Sequence, residues 1–128
     1  MSVNLQSECK LNKNKELSFK KLKGKTILSP SPIGFWTKIY HDEIPDSKII
    51  FQNESTEYSE ILQYSVFPFF TTNLTSLDSQ WGYNLPNNRT VRPLSDKVAH
   101  QKFYATYLKQ NKDRVMTLIE KSQDQWSK

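Results

Sequence analysis

The chain has 128 residues, a formal net charge of +5 at pH 7 and an apolar fraction of 36%, which suits one small domain rather than several. It has no apolar run of about 18 residues and no hydrophobic leader, so we expect neither a membrane-spanning helix nor secretion. Its single cysteine cannot close an internal disulfide.

The whole net charge lies in residues 1–25, where seven lysines face two glutamates, and the rest of the chain is neutral. A localised positive field attracts polyanions, so this segment predicts contact with RNA or DNA. The chain has 15 lysines and 3 arginines, which favours loose phosphate contact over base reading. The predicted nucleic-acid-binding residues are Lys10, Lys13, Lys15, Lys20, Lys21, Lys23 and Lys25.

The first part of the chain predicts a tail followed by a sheet. Residues 1–15 have no apolar period, so we expect a disordered tail before a single domain over 16–128. A hairpin over 17–28 would turn at Gly24, because glycine tolerates a positive φ. Strands are predicted at 35–41 and 48–52, the second from its branched and aromatic residues.

The second half predicts mainly helix. Apolar residues three and four positions apart indicate a short helix over 55–65 and a long one over 95–123. Residues 71–94 show no period and predict a loop that either wraps the domain or binds a partner. The fold class expected is α+β: a mainly antiparallel sheet of three or four strands on one short and one long helix. The core is expected to contain Trp36, Ile50, Phe51, Ile61, Leu62, Phe69, Phe103 and Leu118.

Three further features suggest partners or regulation. The large aromatics Trp81, Tyr83 and Trp126 are predicted to contact protein, together with the long helix. Ser29 and Ser31 each precede a proline, which makes them candidates for proline-directed phosphorylation that would offset the nearby positive charge. The favoured interpretation of this stretch is instead a rigid connector with an extended, polyproline-like backbone. The lysines of 20–23 fit a short nuclear import pattern. The alternative is that they form the solvent-exposed side of an edge strand.

The sequence contains no convincing enzyme signature. His41, Asp42 and Glu43 gather ionisable groups, and His100 is the only other histidine. Their number and spacing do not define a metal site, and three glycines leave no phosphate-binding loop. We therefore predict no catalytic residue, no metal and no cofactor.

The leading functional hypothesis is a non-enzymatic small subunit or accessory factor of a larger, nucleic-acid-containing assembly, in the nucleus or cytoplasm. A mitochondrial location fits less well, because two glutamates interrupt the lysines. The first alternative is a protein-interaction regulator with an import signal and a phosphorylation switch. The second is a small enzyme that uses His41 and nearby carboxylates.

Overall fold

The computed structural model describes residues 1–30, 34–72, 87–102, 104 and 106–126. Within these ranges five strands form one mixed sheet. They are β1 (Ser2–Gln6), β2 (Thr26–Pro30), β3 (Lys48–Gln52), β4 (Phe69–Thr71) and β5 (Arg89–Pro93). Four α-helices accompany the sheet in the described ranges: α1 (Phe19–Leu22), α2 (Gly34–Glu43), α3 (Ser55–Tyr64) and α4 (Lys112–Trp126).

The strand order across the sheet is β3-β2-β4-β1-β5. β2 runs parallel to both β3 and β4, and α2 connects β2 to β3 as a parallel pair requires. β1 is antiparallel to β4 and to β5. The expected α+β class is confirmed, but the sheet is mixed and larger than predicted.

The prediction of a disordered tail is wrong for residues 2–6. Val3 and Leu5 are buried on one face of β1, and Asn4 is buried on the other. The side-chain amide of Asn4 donates to the Thr71 hydroxyl at 2.9 Å. β1 contains only two large apolar residues, which are too few to show the strand period in the sequence. In the structure it is paired on both sides, with β4 and with β5.

Two apolar clusters cover the two faces of the sheet. On one face, side chains of β1, β2 and β4 pack against α1 and α2, and the ring of Phe19 meets Phe70 edge-on at 5.8 Å. On the other face, Leu28 and Phe69 pack against Tyr58 and Leu62 of α3. The central strands are therefore buried on both sides, which explains their short, strongly apolar sequences.

Residues 35–41, predicted as a strand, belong to helix α2. Trp36, Ile39 and Tyr40 recur at three and four positions, which is the helical period rather than the strand period. Ile39 and Tyr40 are buried, and the Tyr40 ring stacks on Phe70 at 6.0 Å. The predicted strand at 48–52 and the predicted helix beginning at Ser55 are both confirmed.

The predicted hairpin at 17–28 is wrong, although its turn lies at the expected glycine. Gly24 has a φ of 73°, a conformation that side chains disfavour. It connects α1 to β2 rather than two strands.

The predicted long helix over 95–123 is also wrong. A 3-10 turn at Lys97–Ala99 ends at His100, and a second at Lys109–Asn111 leads into α4. Between them Tyr104 is 80% exposed. Helical spacing alone does not make a stable helix, because packing against other parts of the protein supplies most of the stability.

The expected core is confirmed only in part. Leu62 and Phe69 are buried, whereas Phe51 is 44% and Leu118 is 64% exposed. Trp36, Ile50 and Ile61 are partly buried against the two clusters, and Phe103 lies outside the described residues. The strand at 48–52 lies at one edge of the described sheet, although an apolar run of this kind is typical of a central strand.

Changing Leu5 to alanine tests whether the N-terminal segment is a strand. Leu5 is 1% exposed, so we expect L5A to lower the free energy of unfolding in urea by about 2–5 kcal/mol. Val91→Ala in the neighbouring strand is the control: Val91 is 45% exposed, and its loss should cost less than about 1 kcal/mol. Equal, small effects would support a disordered tail.

Candidate polyanion-binding surface

The lysine surface, defined here as the seven lysines between residues 10 and 25, lies on folded backbone. Lys10 and Lys13 belong to a 3-10 turn, while Lys20 and Lys21 lie in α1. Six of the seven side chains are exposed, and Lys25 is partly so. The lysines therefore occupy defined positions rather than a mobile arm.

Three buried side chains hold this segment against the domain. Leu17 and Phe19 are each 1% exposed and Leu22 is fully buried. Because hydrophobic residues alternate with lysines, burying the former turns the latter towards solvent. The local sequence thus produces a charged outer side and an apolar inner side within a few residues.

Backbone hydrogen bonds tie the same segment to the end of β5. The Leu17 amide donates to the Pro93 carbonyl at 3.0 Å, and the Ser95 amide donates to the Leu17 carbonyl at 2.8 Å. The carboxylate of Asp96 accepts the Phe19 amide at 2.8 Å, which satisfies a free donor at the start of α1. These bonds set the position of α1 and its lysines.

Arg92 adds a basic group that sequence reasoning missed. Its guanidinium donates to the Asn12 carbonyl at 3.1 Å, between Lys10 and Lys13, although Asn12 and Arg92 are 80 positions apart. Only the pairing of β1 with β5 brings them together. No local signal in the sequence could have revealed this contact.

None of the seven lysines forms an ion pair with a carboxylate among the described residues. Lys21 instead donates to the side-chain oxygen of Asn14 at 2.8 Å. Glu8 and Glu16 lie in the same part of the chain and are exposed, so they reduce the field without neutralising it. The ammonium groups remain open to phosphates, whose charge they complement as point charges.

An open groove of about 670 Å³ adjoins one end of the lysine surface. Lys25, Gly24 and Cys9 line it together with apolar side chains from β1 and the segment before β4. Cys9 is partly buried rather than carried on a disordered tail. The groove gives the surface an apolar border, and Glu8 also lines it beside Cys9 and Lys25.

Ser29, one of the two phosphorylation candidates, is buried in β2. It is 2% exposed, and its hydroxyl lies 2.8 Å from that of Tyr40. The folded chain therefore does not offer this hydroxyl to a kinase. Ser31 lies outside the described residues.

His41 and Asp42 lie next to each other on α2 rather than at a strand end. His41 Nδ1 is 2.8 Å from Asp42 Oδ1, and Lys38 Nζ is 2.7 Å from Asp42 Oδ2. These hydrogen bonds, that of His41 first, lower the pKa of Asp42. The His41 side chain is 87% exposed, so no cleft encloses the pair as a substrate site would require.

The other histidine serves a local structural purpose. His100 Nε2 lies 2.8 Å from the Leu94 carbonyl, which only accepts hydrogen bonds and so requires a proton on this nitrogen. No group of three or more potential metal ligands occurs in the described part of the chain. The same part contains no helix that is both long and apolar enough to cross a membrane.

The predicted protein-contact residues fall largely beyond what the structure describes. Trp81 and Tyr83 lie outside the described residues. Trp126 is the last residue of α4, and its side chain is not described. On the same helix Leu118 is 64% and Met116 is 36% exposed, so α4 presents apolar side chains to solvent.

Arg89 is a second arginine whose role the sequence did not indicate. Its guanidinium donates to the carbonyls of Phe67, Leu62 and Ser65 at 2.7–2.9 Å and lies 5.1 Å from the centre of the Phe69 ring. Burial lowers the pKa of Arg89. Arg89 thus connects the end of α3 to the sheet. Because its guanidinium donates to backbone carbonyls of the protein, it does not extend the lysine surface.

Comparison with known proteins adds no relative: the chain matches no protein-family model, no curated protein and no solved structure.

The buried Tyr40 predicts a specific loss of stability at high pH. Burial raises the pKa of Tyr40 to about 12, compared with about 10 in an unfolded chain. Its contribution is therefore complete below about pH 10 and is lost as the pH rises towards 12. We expect Tyr40→Phe to have a shallower decline in urea-unfolding free energy over this range than the unchanged protein.

Tyr64→Phe is the matched control, because Tyr64 is 83% exposed. Its decline with pH should parallel that of the unchanged protein. Identical slopes for both variants would mean that the Tyr40 hydroxyl is not buried.

Proposed function

We propose that this protein is a non-enzymatic accessory subunit that binds a polyanion, RNA or DNA, through the lysine surface and joins a larger assembly through its exposed apolar residues. The observation that carries the proposal is a set of seven lysines on folded backbone with no ion-paired carboxylate among the described residues. Arg92 strengthens the same positive field.

The folded backbone matters for affinity. A mobile arm loses conformational entropy when it settles on a phosphate backbone, whereas a segment held by Leu17, Phe19 and Leu22 has already lost it on folding. Affinity should then depend on the number of phosphates that the lysines reach at once. Lysine ammonium groups favour contact with any sequence over recognition of particular bases.

The apolar residues of α4 support the proposed docking on protein. Val115 and Ile119 are partly buried, one helical turn apart, while Leu118 and Met116 face solvent. Helical spacing places these four residues on one broad apolar face, and such a face gains stability from a partner that covers it. We therefore assign α4 to assembly and the lysine surface to polyanion contact.

The regulator alternative gains no observation in its favour. The hydroxyl of Ser29 is buried against Tyr40, so its phosphorylation would require β2 to open. Leu22, inside the import-like stretch 20–23, is fully buried. The enzyme alternative depends on a His41 side chain that is exposed rather than enclosed.

Replacing four lysines tests the polyanion proposal. We expect K20Q/K21Q/K23Q/K25Q to weaken binding to a generic DNA duplex and to flatten the slope of log K against log salt. Four lost phosphate contacts would flatten it by about 3.6, and a change of about 2 corresponds to partial engagement. Fluorescence anisotropy over a salt series measures both quantities.

The matched control removes the same charge from another part of the chain. Lys97, Lys102, Lys109 and Lys112 are all exposed, and changing them to glutamine lowers the net charge by the same amount. This variant should keep nearly the original slope. If both variants lose the same slope, only net charge matters, and the lysine surface is not a binding site.

A further inference from the structure

Among the residues that the structure describes, strand β3 has no neighbour on its outer side and so forms an edge of the sheet. In the described part of the chain β3 pairs only with β2, and Phe51 on this strand is 44% exposed. An open edge with apolar side chains is a template for pairing with another strand. The opposite edge differs, because β5 contains Pro93 and two arginines, which discourage such pairing.

We propose that β3 pairs antiparallel with β3 of a second copy, so that two five-stranded sheets join into one. A two-fold axis through Ile50 places Ile49 opposite Phe51 of the second copy and Lys48 opposite its Gln52, and it repeats both pairs. An aromatic ring beside a branched side chain is a favourable cross-strand pair. No charged residue of β3 meets a like charge in this register.

Charge complementarity identifies the second copy as the occupant. The Gln52 side chain donates to a carboxylate oxygen of Glu57 at 2.7 Å, so a negative charge lies beside the position that faces Lys48 of the second copy. Lys48, Ile50 and Gln52 share one face of the strand. It is the α3 face, because Ile50 packs against the cluster that contains Tyr58 and Leu62.

The approaching lysine therefore arrives on the same face as Glu57 and within reach of its carboxylate. The two-fold axis creates this ion pair twice. Both Lys48 and Glu57 are exposed in the single chain, and neither forms an ion pair with another described residue. The edge thus carries complementary charges at its two ends and apolar side chains between them.

On the second face of the strand, the exposed ring of Phe51 gains cover. Its inner side already lies against Tyr40, with ring centres 6.3 Å apart, and Ile49 on the same face is partly buried. Each Phe51 would be covered from outside by Ile49 of the second copy. The pairing removes apolar surface from water on this face while forming ion pairs on the other.

Charge exchange tests both the pairing and its register. Sedimentation equilibrium over a concentration series should show a dimer for the unchanged protein. Glu57→Lys alone places two lysines together, and Lys48→Glu alone places two carboxylates together. Each variant should weaken dimerisation by about tenfold or more, since two like-charge contacts arise per dimer.

Two further samples distinguish this register from other modes of association. An equimolar mixture of E57K and K48E should form a heterodimer, because each chain then offers the charge that the other requires. The double variant K48E/E57K should dimerise like the unchanged protein. Glu16→Lys, an exposed charge change outside β3, α3 and α4, is the control and should leave dimerisation unaltered.

A monomeric unchanged protein at the highest concentration would overturn the proposal. So would a dimer that is insensitive to both single changes, or single variants that dissociate and fail to recover on mixing. Circular dichroism and thermal melting of each variant establish that its chain is folded, so loss of the dimer is not mistaken for unfolding.

Discussion

The structure depends on burying both faces of the central strands. In β2 and β4 consecutive residues point to opposite faces, and Ile27 and Leu28 are both fully buried. The chain must therefore supply apolar cover on each side of the sheet. α1 and α2 provide one cover and α3 the other, and the lysine surface exists because Phe19 and Leu22 are part of the first. Charge on the outside and packing on the inside of α1 follow from the same requirement.

Elements that follow from neighbouring residues in the sequence could be predicted, whereas elements that depend on distant parts of the chain could not. β3 and α3 follow from short apolar patterns, and the structure agrees with both. α2 was assigned to the wrong class because its aromatic and branched residues favour strands, while the spacing of Trp36, Ile39 and Tyr40 favours a helix. β1 was missed because its stability comes from pairing with β4 and β5, which are distant in sequence. The long helix was overestimated because spacing alone does not show whether a partner is present.

The residues of the candidate site could be predicted from the sequence, but the folded backbone that carries them could not. Charge counting located all seven lysines, since net charge is a property of the sequence. It did not show that buried leucines and phenylalanine hold them on folded backbone, and it gave no sign of Arg92. Ser29 illustrates the converse: a serine followed by proline suggests an accessible connector, yet its hydroxyl is buried against Tyr40. Local motifs describe chemistry, and burial decides whether that chemistry is available.

The position of β1 also orders events during synthesis. The Ser7 hydroxyl, just after the end of β1, accepts a hydrogen bond from the Thr90 hydroxyl, near the start of β5. The two residues are 83 positions apart in the chain. At about 5–20 residues per second, the ribosome needs roughly 4–17 s to add the missing partner. During that time β1 has no neighbour on this side. The earliest of the five strands to be made is thus among the last to be taken into the sheet.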